Sequence, residues 1–273
     1  MKALVNGREN TNPGVFDRGL AYGDGLFETM AVLEGRCPFW DRHLRRLRRG
    51  CEALRLPLPD PALLRDEAQR LIGAESRAVL KLILTRGEGG RGYRHPGPVQ
   101  ATRILMRLPW PDYPPQNGQQ GVQARFCETR LARQPALAGL KHLNRLEQVL
   151  ARNEWQDPAI AEGLMLDEQE NVIEGTMSNL FMVHNDTLYT PDLSACGVAG
   201  IMRERILELA AAEGIRSVIE PIAKSRLLAA EEIFLSNSLI GLWPVTRLAD
   251  RVFAAGPVSR ALQAHINRDY GLS

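Results

Sequence analysis

The chain has 273 residues and a formal net charge of +2 at pH 7, and hydrophobic residues make up 44% of it. That composition is typical of a globular protein with one large or two smaller domains, and it excludes a disordered chain, a collagen and a coiled coil. The nearly balanced charge argues against a dedicated polyanion-binding protein. The 34 basic residues include only four lysines, so chemistry that needs an amine has four candidates: Lys2, Lys81, Lys141 and Lys224.

The spacing of apolar residues predicts the secondary structure. Before residue 109 the patterns indicate strands at 26–34, 78–85 and 101–108. They also indicate helices near 41–55 and 60–72. After residue 118 they indicate a strand near 121–127, a helix near 143–155, short strands near 163–190, a helix at about 201–213, a strand that ends at Ser236, and a helix near 257–269. The strands arrive in clusters, which favours an α+β fold over a doubly wound sheet.

The segment PWPDYPPQNG at 109–118 marks the clearest break in the chain. Its four prolines and its final Asn-Gly favour neither a helix nor a central strand. We therefore predict an N-terminal domain over 1–108, a linker over 109–118 and a C-terminal domain over 119–273.

The glycine-rich segment TRGEGGRGY contains a GxGxxG pattern at Gly87, Gly89 and Gly92. A dinucleotide site needs a helix to open at these glycines, whereas a strand pattern follows them here, and a P-loop lysine is also missing. The segment is equally well explained as a flexible connection or as a functional loop that moves over a pocket. Arg91 and Tyr93 would then be the side chains that reach a ligand.

The stretch DRHLRRLRRGCEALR at 41–55 forms an apolar stripe with arginines around it. Arg45 and Arg49 project opposite the stripe, where a solvated face explains them, while Arg46 and Arg48 flank it. A flanking arginine can turn inward and bind a phosphate, but periodicity does not choose between these two. A nucleic-acid-binding helix would have a similar pattern, although no recognised binding module supports it.

Four further features offer candidate site residues. Lys141 precedes a strong amphipathic helix and is either a solvated residue or, if desolvated, an imine-forming amine. Glu174 and Gly175 lie in a polar interruption that predicts a surface turn. The helix that opens near Ile201 behind two glycines has free amides that suit an anion, or is simply a helix start. Hydroxyl and amide groups end a strand at Ser236, Asn237 and Ser238.

The cysteines and the N-terminal residues bear on the cellular location. Cys37, Cys51, Cys127 and Cys196 are far apart and lack the spacing of a metal site. The sequence has neither the apolar run of a signal peptide nor one long enough to span a bilayer. We therefore expect a reduced cytoplasmic protein with no metal and no membrane association.

Six blocks of the sequence together resemble the fold type IV pyridoxal phosphate enzymes, which include branched-chain and D-amino acid aminotransferases, and most closely the aminodeoxychorismate lyases. The blocks are YGDGLFET (22–29), TRGEGGRGY (85–93), LAGLKHLNRLEQVLAR (137–152), EGTMSNLF (174–181), GVAGIMR (197–203) and SNSLIGLWPV (236–245). The resemblance implies two domains, a smaller N-terminal α/β sandwich and a larger C-terminal domain with a β-barrel-like core. It also implies pyridoxal 5'-phosphate as the cofactor and a homodimer, and it gives no role to nucleic acid.

The resemblance assigns cofactor roles to seven residues. It makes Lys141 the lysine that holds the cofactor as an imine and Glu174 the partner of the pyridinium nitrogen. Arg145 stands where the aminotransferases have a tyrosine near the phenolic oxygen of the cofactor. The phosphate would be bound by Arg46, the amides of Ile201 and Met202, and Ser238.

The resemblance also implies a reaction. The lyases convert 4-amino-4-deoxychorismate into 4-aminobenzoate and pyruvate, a step of folate biosynthesis, and Thr29 matches a threonine thought to assist proton transfer in them. Arg91, Tyr93 and Asn237 would bind the substrate. The alternative is a D-amino acid or branched-chain aminotransferase of the same fold, which would keep Lys141 and Glu174.

Overall fold

A computed structural model describes residues 2–9, 12–94, 97 and 100–271. The chain divides into two compact units. The first runs to Asp112 and also contains Leu140–Asn144, and the second contains Tyr113–Gly139 and the chain from Arg145 onward. The change at Asp112 falls inside the predicted linker, but the inclusion of Leu140–Asn144 in the first unit was not predicted.

The first unit consists of a five-stranded antiparallel sheet and three helices. The elements are β1 (Lys2–Val5), β2 (Arg8–Glu9), α1 (Arg18–Tyr22), β3 (Gly25–Leu33), α2 (Trp40–Leu54), α3 (Pro61–Ile72), β4 (Arg77–Thr85) and β5 (Thr102–Leu108), and the sheet order is β2-β1-β5-β4-β3. The predicted strands and helices of this region are confirmed, whereas β1, β2 and α1 were not predicted.

Alternation along β3 separates a core face from a second face. Leu26, Met30 and Val32 are buried in one cluster with apolar residues of α2 and α3. Phe27 and Thr29 point the other way and stay half-buried. This edge strand thus has one face with an aromatic and a polar side chain, while its other face packs in the core of the unit.

The second unit is built around a closed barrel. The elements are α4 (Gln116–Gln119), β6 (Val122–Leu131), α5 (Leu146–Arg152), β7 (Ile160–Asp167), β8 (Val172–Gly175), β9 (Asn179–His184), β10 (Thr187–Pro191), α6 (Ile201–Ala212), β11 (Arg216–Glu220), α7 (Lys224–Leu228), β12 (Glu232–Asn237), β13 (Gly241–Leu248), β14 (Arg251–Val252) and α8 (Pro257–Tyr270). The strand order is β11-β10-β9-β12-β13-β6-β7-β8, and the pairing of β8 with β9 closes a ring of the six strands β6, β7, β8, β9, β12 and β13. The predicted α+β class and the barrel-like core are therefore confirmed.

Two predicted elements differ from the structure. The helix predicted near 143–155 is the shorter α5, because Leu143 instead donates its amide to the carbonyl of Gly25 (3.0 Å). The proline-rich segment was expected to contain no helix, yet α4 begins within it, directly after Pro115. Proline suits that place because the first amides of a helix need no intrahelical acceptor. No helix in the described part of the chain is long and apolar enough to cross a membrane.

Candidate active site

Lys141 lies on an irregular segment that runs along β3. The carbonyl of Lys141 accepts a hydrogen bond from the amide of Phe27 (2.9 Å), and its Nζ lies 4.4 Å from the centroid of the Phe27 ring. The ring thus covers one side of a half-buried amine, which keeps part of the solvent away from it. The backbone bond explains how a residue outside any helix or strand holds a fixed place.

Thr29 lies on the same face of β3 as Phe27. Its partner across the ladder is Lys81 of β4, whose Nζ is 5.4 Å from the centroid of the same Phe27 ring. The first unit therefore brings Thr29, Lys81 and the amine of Lys141 to one face of the sheet. From the sequence, Lys81 was interpreted as a strand residue whose side chain reaches toward an edge or solvent. Its position opposite Thr29 was not predicted, because it depends on the register between β3 and β4.

Arg46 is the buried arginine of α2, and Arg48 is exposed, so burial distinguishes two side chains that periodicity could not separate. The Arg46 guanidinium donates to both carboxylate oxygens of Glu28, at 2.9 and 2.5 Å. His43 Nδ1 lies 2.6 Å from the same carboxylate. Sequence reasoning missed Glu28 and His43, although a charge among the core-facing residues of β3 is a signal that such a partner exists.

The electrostatics of this buried cluster follow from its contacts. Burial raises the pKa of Glu28, but Arg46 and His43 outweigh burial and lower that pKa to about 2. Burial lowers the pKa of His43 despite its bond to Glu28. The cluster is therefore an ionised Glu28–Arg46 pair with a neutral histidine that donates its Nδ1 proton to the carboxylate.

The glycine-rich segment connects β4 to β5, so the expectation that a strand and not a helix follows it is confirmed. Arg91 and Tyr93 are exposed on it, and Tyr93 keeps 86% of its surface accessible. The backbone of Gly92 and Tyr93 is hydrogen-bonded to the side chains of Arg18 and Tyr22, both in α1. Both side chains are thus available to a ligand on a segment whose backbone is held.

Glu174 lies within β8, and the prediction of a surface turn at Glu174 and Gly175 is wrong. Glu174 pairs with Met165 of β7 in the ladder, is buried, and accepts a hydrogen bond from the amide of Val198 (2.8 Å). The turn comes directly afterwards, at 176–178. Turn-forming residue types in EGTMSN misled the prediction because strand pairing, a long-range interaction, decides where the strand ends.

Glu162 holds that turn and was not found from the sequence. Its buried carboxylate accepts hydrogen bonds from the amides of Gly163, Thr176 and Met177 and from the hydroxyls of Thr176 and Ser178. Burial raises the pKa of Glu162, and these hydrogen bonds oppose that effect without overcoming it. The carboxyl therefore fixes the loop that follows Glu174.

The N-terminus of α6 has the geometry of an anion site. Gly200 precedes Ile201 and Met202, and no side chain of the described residues caps this end. A Cβ on Gly200 would lie 2.0 Å from Oδ1 of Asn179, so glycine is needed there. Asn179 also donates to the carbonyl of Val198 (2.8 Å), whose amide binds Glu174. The short stretch from Val198 to Met202 thus contains both the amide that binds Glu174 and the first amides of α6.

The end of β12 contributes three polar residues to the second unit. The buried hydroxyl of Ser236 has no hydrogen-bond partner among the residues that the structure describes. The carbonyl of Ser238 accepts a bond from the Tyr270 hydroxyl (2.9 Å). Asn237 donates to the carbonyl of Met177 (3.0 Å) and accepts from the amides that follow Ser238, so its side chain holds the turn after β12. Arg145 is half-buried at the start of α5.

Comparison with known proteins identifies the class to which this fold and these residues belong. Residues 25–248 match the family described as amino-transferase class IV, and the chain belongs to that family. An aminodeoxychorismate lyase from Vibrio harveyi is 36% identical over 96% of this chain and 98% of its own length. A crystal structure of 4-amino-4-deoxychorismate lyase from Pseudomonas aeruginosa is 50% identical, covers 98% of both chains and gives a TM-score of 0.94. A putative branched-chain-amino-acid aminotransferase from Methanocaldococcus jannaschii is 30% identical over 92% of this chain and 89% of its own.

Proposed function

We propose that this protein is a pyridoxal-phosphate-dependent lyase that converts 4-amino-4-deoxychorismate into 4-aminobenzoate and pyruvate. The observation that carries the proposal is the placement of the Lys141 amine and Thr29 on one face of β3, beside the Phe27 ring. A lyase of this kind needs an amine and a hydroxyl at the reacting carbons. Similarity to lyases over nearly the whole chain supports the same reading.

The residues present fit pyridoxal 5'-phosphate. The uncapped start of α6 at Ile201 and Met202, with Gly200 required by its close neighbour, suits the phosphate, and Arg46 and Ser238 would complete its binding. Glu174 would pair with the pyridinium nitrogen. When bound, the cofactor supplies an electron sink for charge that develops on the substrate.

The residues of the chain handle the protons of the reaction. The Lys141 amine takes the proton from the ring carbon that bears the substrate nitrogen, and the carbon–oxygen bond to the enolpyruvyl group then breaks. Lys141 or the Thr29 hydroxyl gives a proton to the departing enolpyruvate, which becomes pyruvate. One proton is lost from the ring and one is gained by the product, and formation of the aromatic ring drives the step.

Glu174 and Arg145 set the charge around the cofactor. Glu174 is buried and accepts a hydrogen bond from the amide of Val198. A carboxylate there keeps the pyridinium nitrogen protonated. Arg145 would place a permanent positive charge near the phenolic oxygen, in the place where the aminotransferases carry a tyrosine.

The substrate carboxylates would be bound by Arg91 and Tyr93, the exposed residues of the glycine-rich segment. Asn237 serves the same site in our proposal by supporting the turn that carries Ser238, since both ends of its amide are already bonded. A guanidinium suits the anionic substrate because it binds a carboxylate through two parallel hydrogen bonds.

We also propose a homodimer in the cytoplasm. Leu146, Val149 and Leu150 form an exposed apolar stripe on α5, with 76%, 52% and 62% of their surfaces accessible. Such a stripe is normally covered by another surface, and a second copy of the chain would cover it. The four cysteines are free, which suits a reducing compartment.

The function is tested by incubating the purified protein with 4-amino-4-deoxychorismate and no 2-oxo acid. We expect 4-aminobenzoate and pyruvate to appear in equal amounts. An aminotransferase would need an oxo acid acceptor and would instead convert D-alanine or leucine. Absence of 4-aminobenzoate together with transamination of either amino acid would refute the lyase proposal.

A further inference from the structure

A buried arginine is hydrogen-bonded to the backbone of the glycine-rich segment. Arg18 of α1 keeps only 3% of its surface accessible, and its guanidinium donates to the carbonyls of Gly92 (2.9 Å) and Tyr93 (3.1 Å). Its Nε donates to the carboxylate of Asp24 (3.0 Å). One side chain therefore fixes two successive carbonyls of a segment that has no ladder partners at that point.

Asp24 connects Arg18 to Arg86 and, through Arg86, to the end of α2. Its Oδ2 also accepts from Nε of Arg86 (2.8 Å), and the Arg86 guanidinium donates to the carbonyls of Leu54 and Arg55 at the end of α2. Burial raises the pKa of Asp24, but the hydrogen bonds from Arg86 and Arg18 outweigh burial and lower it. The carboxylate is therefore charged at neutral pH and holds both guanidinium groups.

Tyr22 adds a second attachment at the same place. Its hydroxyl accepts a hydrogen bond from the amide of Gly92 (3.1 Å). The Arg18 guanidinium lies 4.7 Å from the Tyr22 ring centroid, and the Tyr93 ring meets the Tyr22 ring edge to face at 5.6 Å. Both hydrogen-bonding groups of Gly92 and the carbonyl of Tyr93 are thus held, directly next to Arg91.

The start of the segment is held as well. The amide of Arg18 donates to the carbonyl of Gly87 (2.9 Å). Gly87 has a φ of +88°, and a Cβ there would lie 1.9 Å from the carbonyl oxygen of Gln100. The sequence suggested a loop whose glycines let it move over a pocket, whereas Gly87 is a fixed close-contact position and the segment is bonded at both ends.

We propose that Arg18 is a positioning residue that fixes the segment bearing Arg91, so that a substrate carboxylate meets a guanidinium already in place. The inference rests on the proposed function, since it takes Arg91 as a ligand of the substrate. A preorganised loop binds more tightly because the cost of ordering its backbone has been met in folding. Asp24, Arg86 and Tyr22 support Arg18 in this role.

Hydrogen exchange of the purified protein without substrate tests the anchoring independently of activity. Arg18→Met should speed exchange of amides at 88–93 about tenfold, as expected for the loss of a buried hydrogen-bonded contact. Tyr22→Phe should speed the Gly92 amide by a smaller factor and keep both ring contacts. Arg94→Met, which removes an exposed arginine directly after the segment, is the matched control and should not change exchange at 88–93.

Kinetics test whether the anchor acts through Arg91. Arg18→Met should raise KM for the substrate about tenfold and leave kcat within about twofold, because binding and not chemistry is affected. Arg18→Lys keeps the positive charge but not the guanidinium that donates to two carbonyls, so its KM should lie between those of the wild type and Arg18→Met. Arg18→Met added to Arg91→Met should raise KM no further than Arg91→Met alone.

Three results would overturn the inference. The first is unchanged exchange at 88–93 in a folded Arg18→Met variant, and the second is full additivity with Arg91→Met. If Arg18→Met does not fold, unchanged exchange of the Gly92 amide in Tyr22→Phe is the third. Faster exchange in a protein whose wild type makes no 4-aminobenzoate would refute the proposed function and leave the anchoring intact.

Discussion

Lys141 and Glu174 are placed by different kinds of backbone. Lys141 lies on an irregular segment that is hydrogen-bonded to Gly25 and Phe27 of β3, and its amine is half-buried above an aromatic ring. Glu174 lies inside a closed barrel, buried in a ladder and bonded to a backbone amide. A group that must change its bonding partners needs room, whereas a group that must keep its charge benefits from a rigid surrounding. The two units supply these conditions separately.

The largest effect should come from removing the amine. We expect Lys141→Ala to lose activity by at least about a thousandfold and to lose the visible absorbance of a bound cofactor, since we assign the imine to its amine. Lys224→Ala is the matched control, because Lys224 also lies over a phenylalanine ring, 4.5 Å from the centroid of Phe126, but far along the chain from β3. Retained absorbance in Lys141→Ala would show that a different amine holds the cofactor.

The fixed carboxylate should give the next largest effect. Glu174→Gln keeps the shape of the side chain and an acceptor for the Val198 amide but removes the charge, so kcat should fall about a hundredfold. Glu168→Gln is the control. It neutralises an exposed glutamate in the turn after β7 and should not change kcat. A wild-type kcat in both variants would contradict the role proposed for the charge of Glu174.

Thr29 should matter less than either of these residues. Thr29→Val removes the hydroxyl and keeps the branched shape that suits β3. We expect kcat to fall only about tenfold, less than is usual for loss of an acid–base group, because Lys141 can supply the same proton. The absorbance of the bound cofactor should not change, because the amine is untouched. A variant with wild-type kcat would leave Lys141 as the sole proton donor.

The smallest and most general effect concerns stability in acid. The pKa of Glu28 is lowered to about 2 in the folded chain, from an ordinary 4.5. A lowered carboxyl pKa stabilises the fold above the unfolded value, and this contribution, about 3 kcal/mol, is lost as the pH falls from about 5 towards 2. Urea unfolding at pH 7 and pH 3 should therefore show a larger drop for the wild type than for Glu28→Gln. Equal drops would contradict the role of this carboxylate.

Sequence periodicity predicted most of the fold because apolar spacing is a local signal. The long strands and helices of the first unit, β6, α6 and α8 follow their predicted patterns within a few residues. The β-barrel-like core was implied by resemblance, and the closing pair Glu174–Asn179 provides it. By contrast, α1 has only five residues and little apolar pattern, so it was not predicted.

The site was less predictable, since its residues are placed by partners distant in the sequence. Arg46 and Arg48 both flank the apolar stripe of the helix, and Arg46 is bonded to Glu28, a partner on another element that the helix sequence does not reveal. Glu174 was placed in a turn because its pairing with Met165 is not visible in the local sequence. Asn237 stays a predicted substrate residue, and the hydrogen bonds of its amide to the turn after β12 are not visible in the local sequence.

The central claim is that one amine, Lys141, holds the cofactor for the chemistry, although the Nζ of Lys81 shares the Phe27 ring with it. Borohydride reduction of the protein loaded with pyridoxal 5'-phosphate, followed by peptide mass spectrometry, tests this most directly. The account predicts a single pyridoxyl group on the peptide that contains Lys141. A pyridoxyl group on Lys81, or none on either lysine, would contradict it.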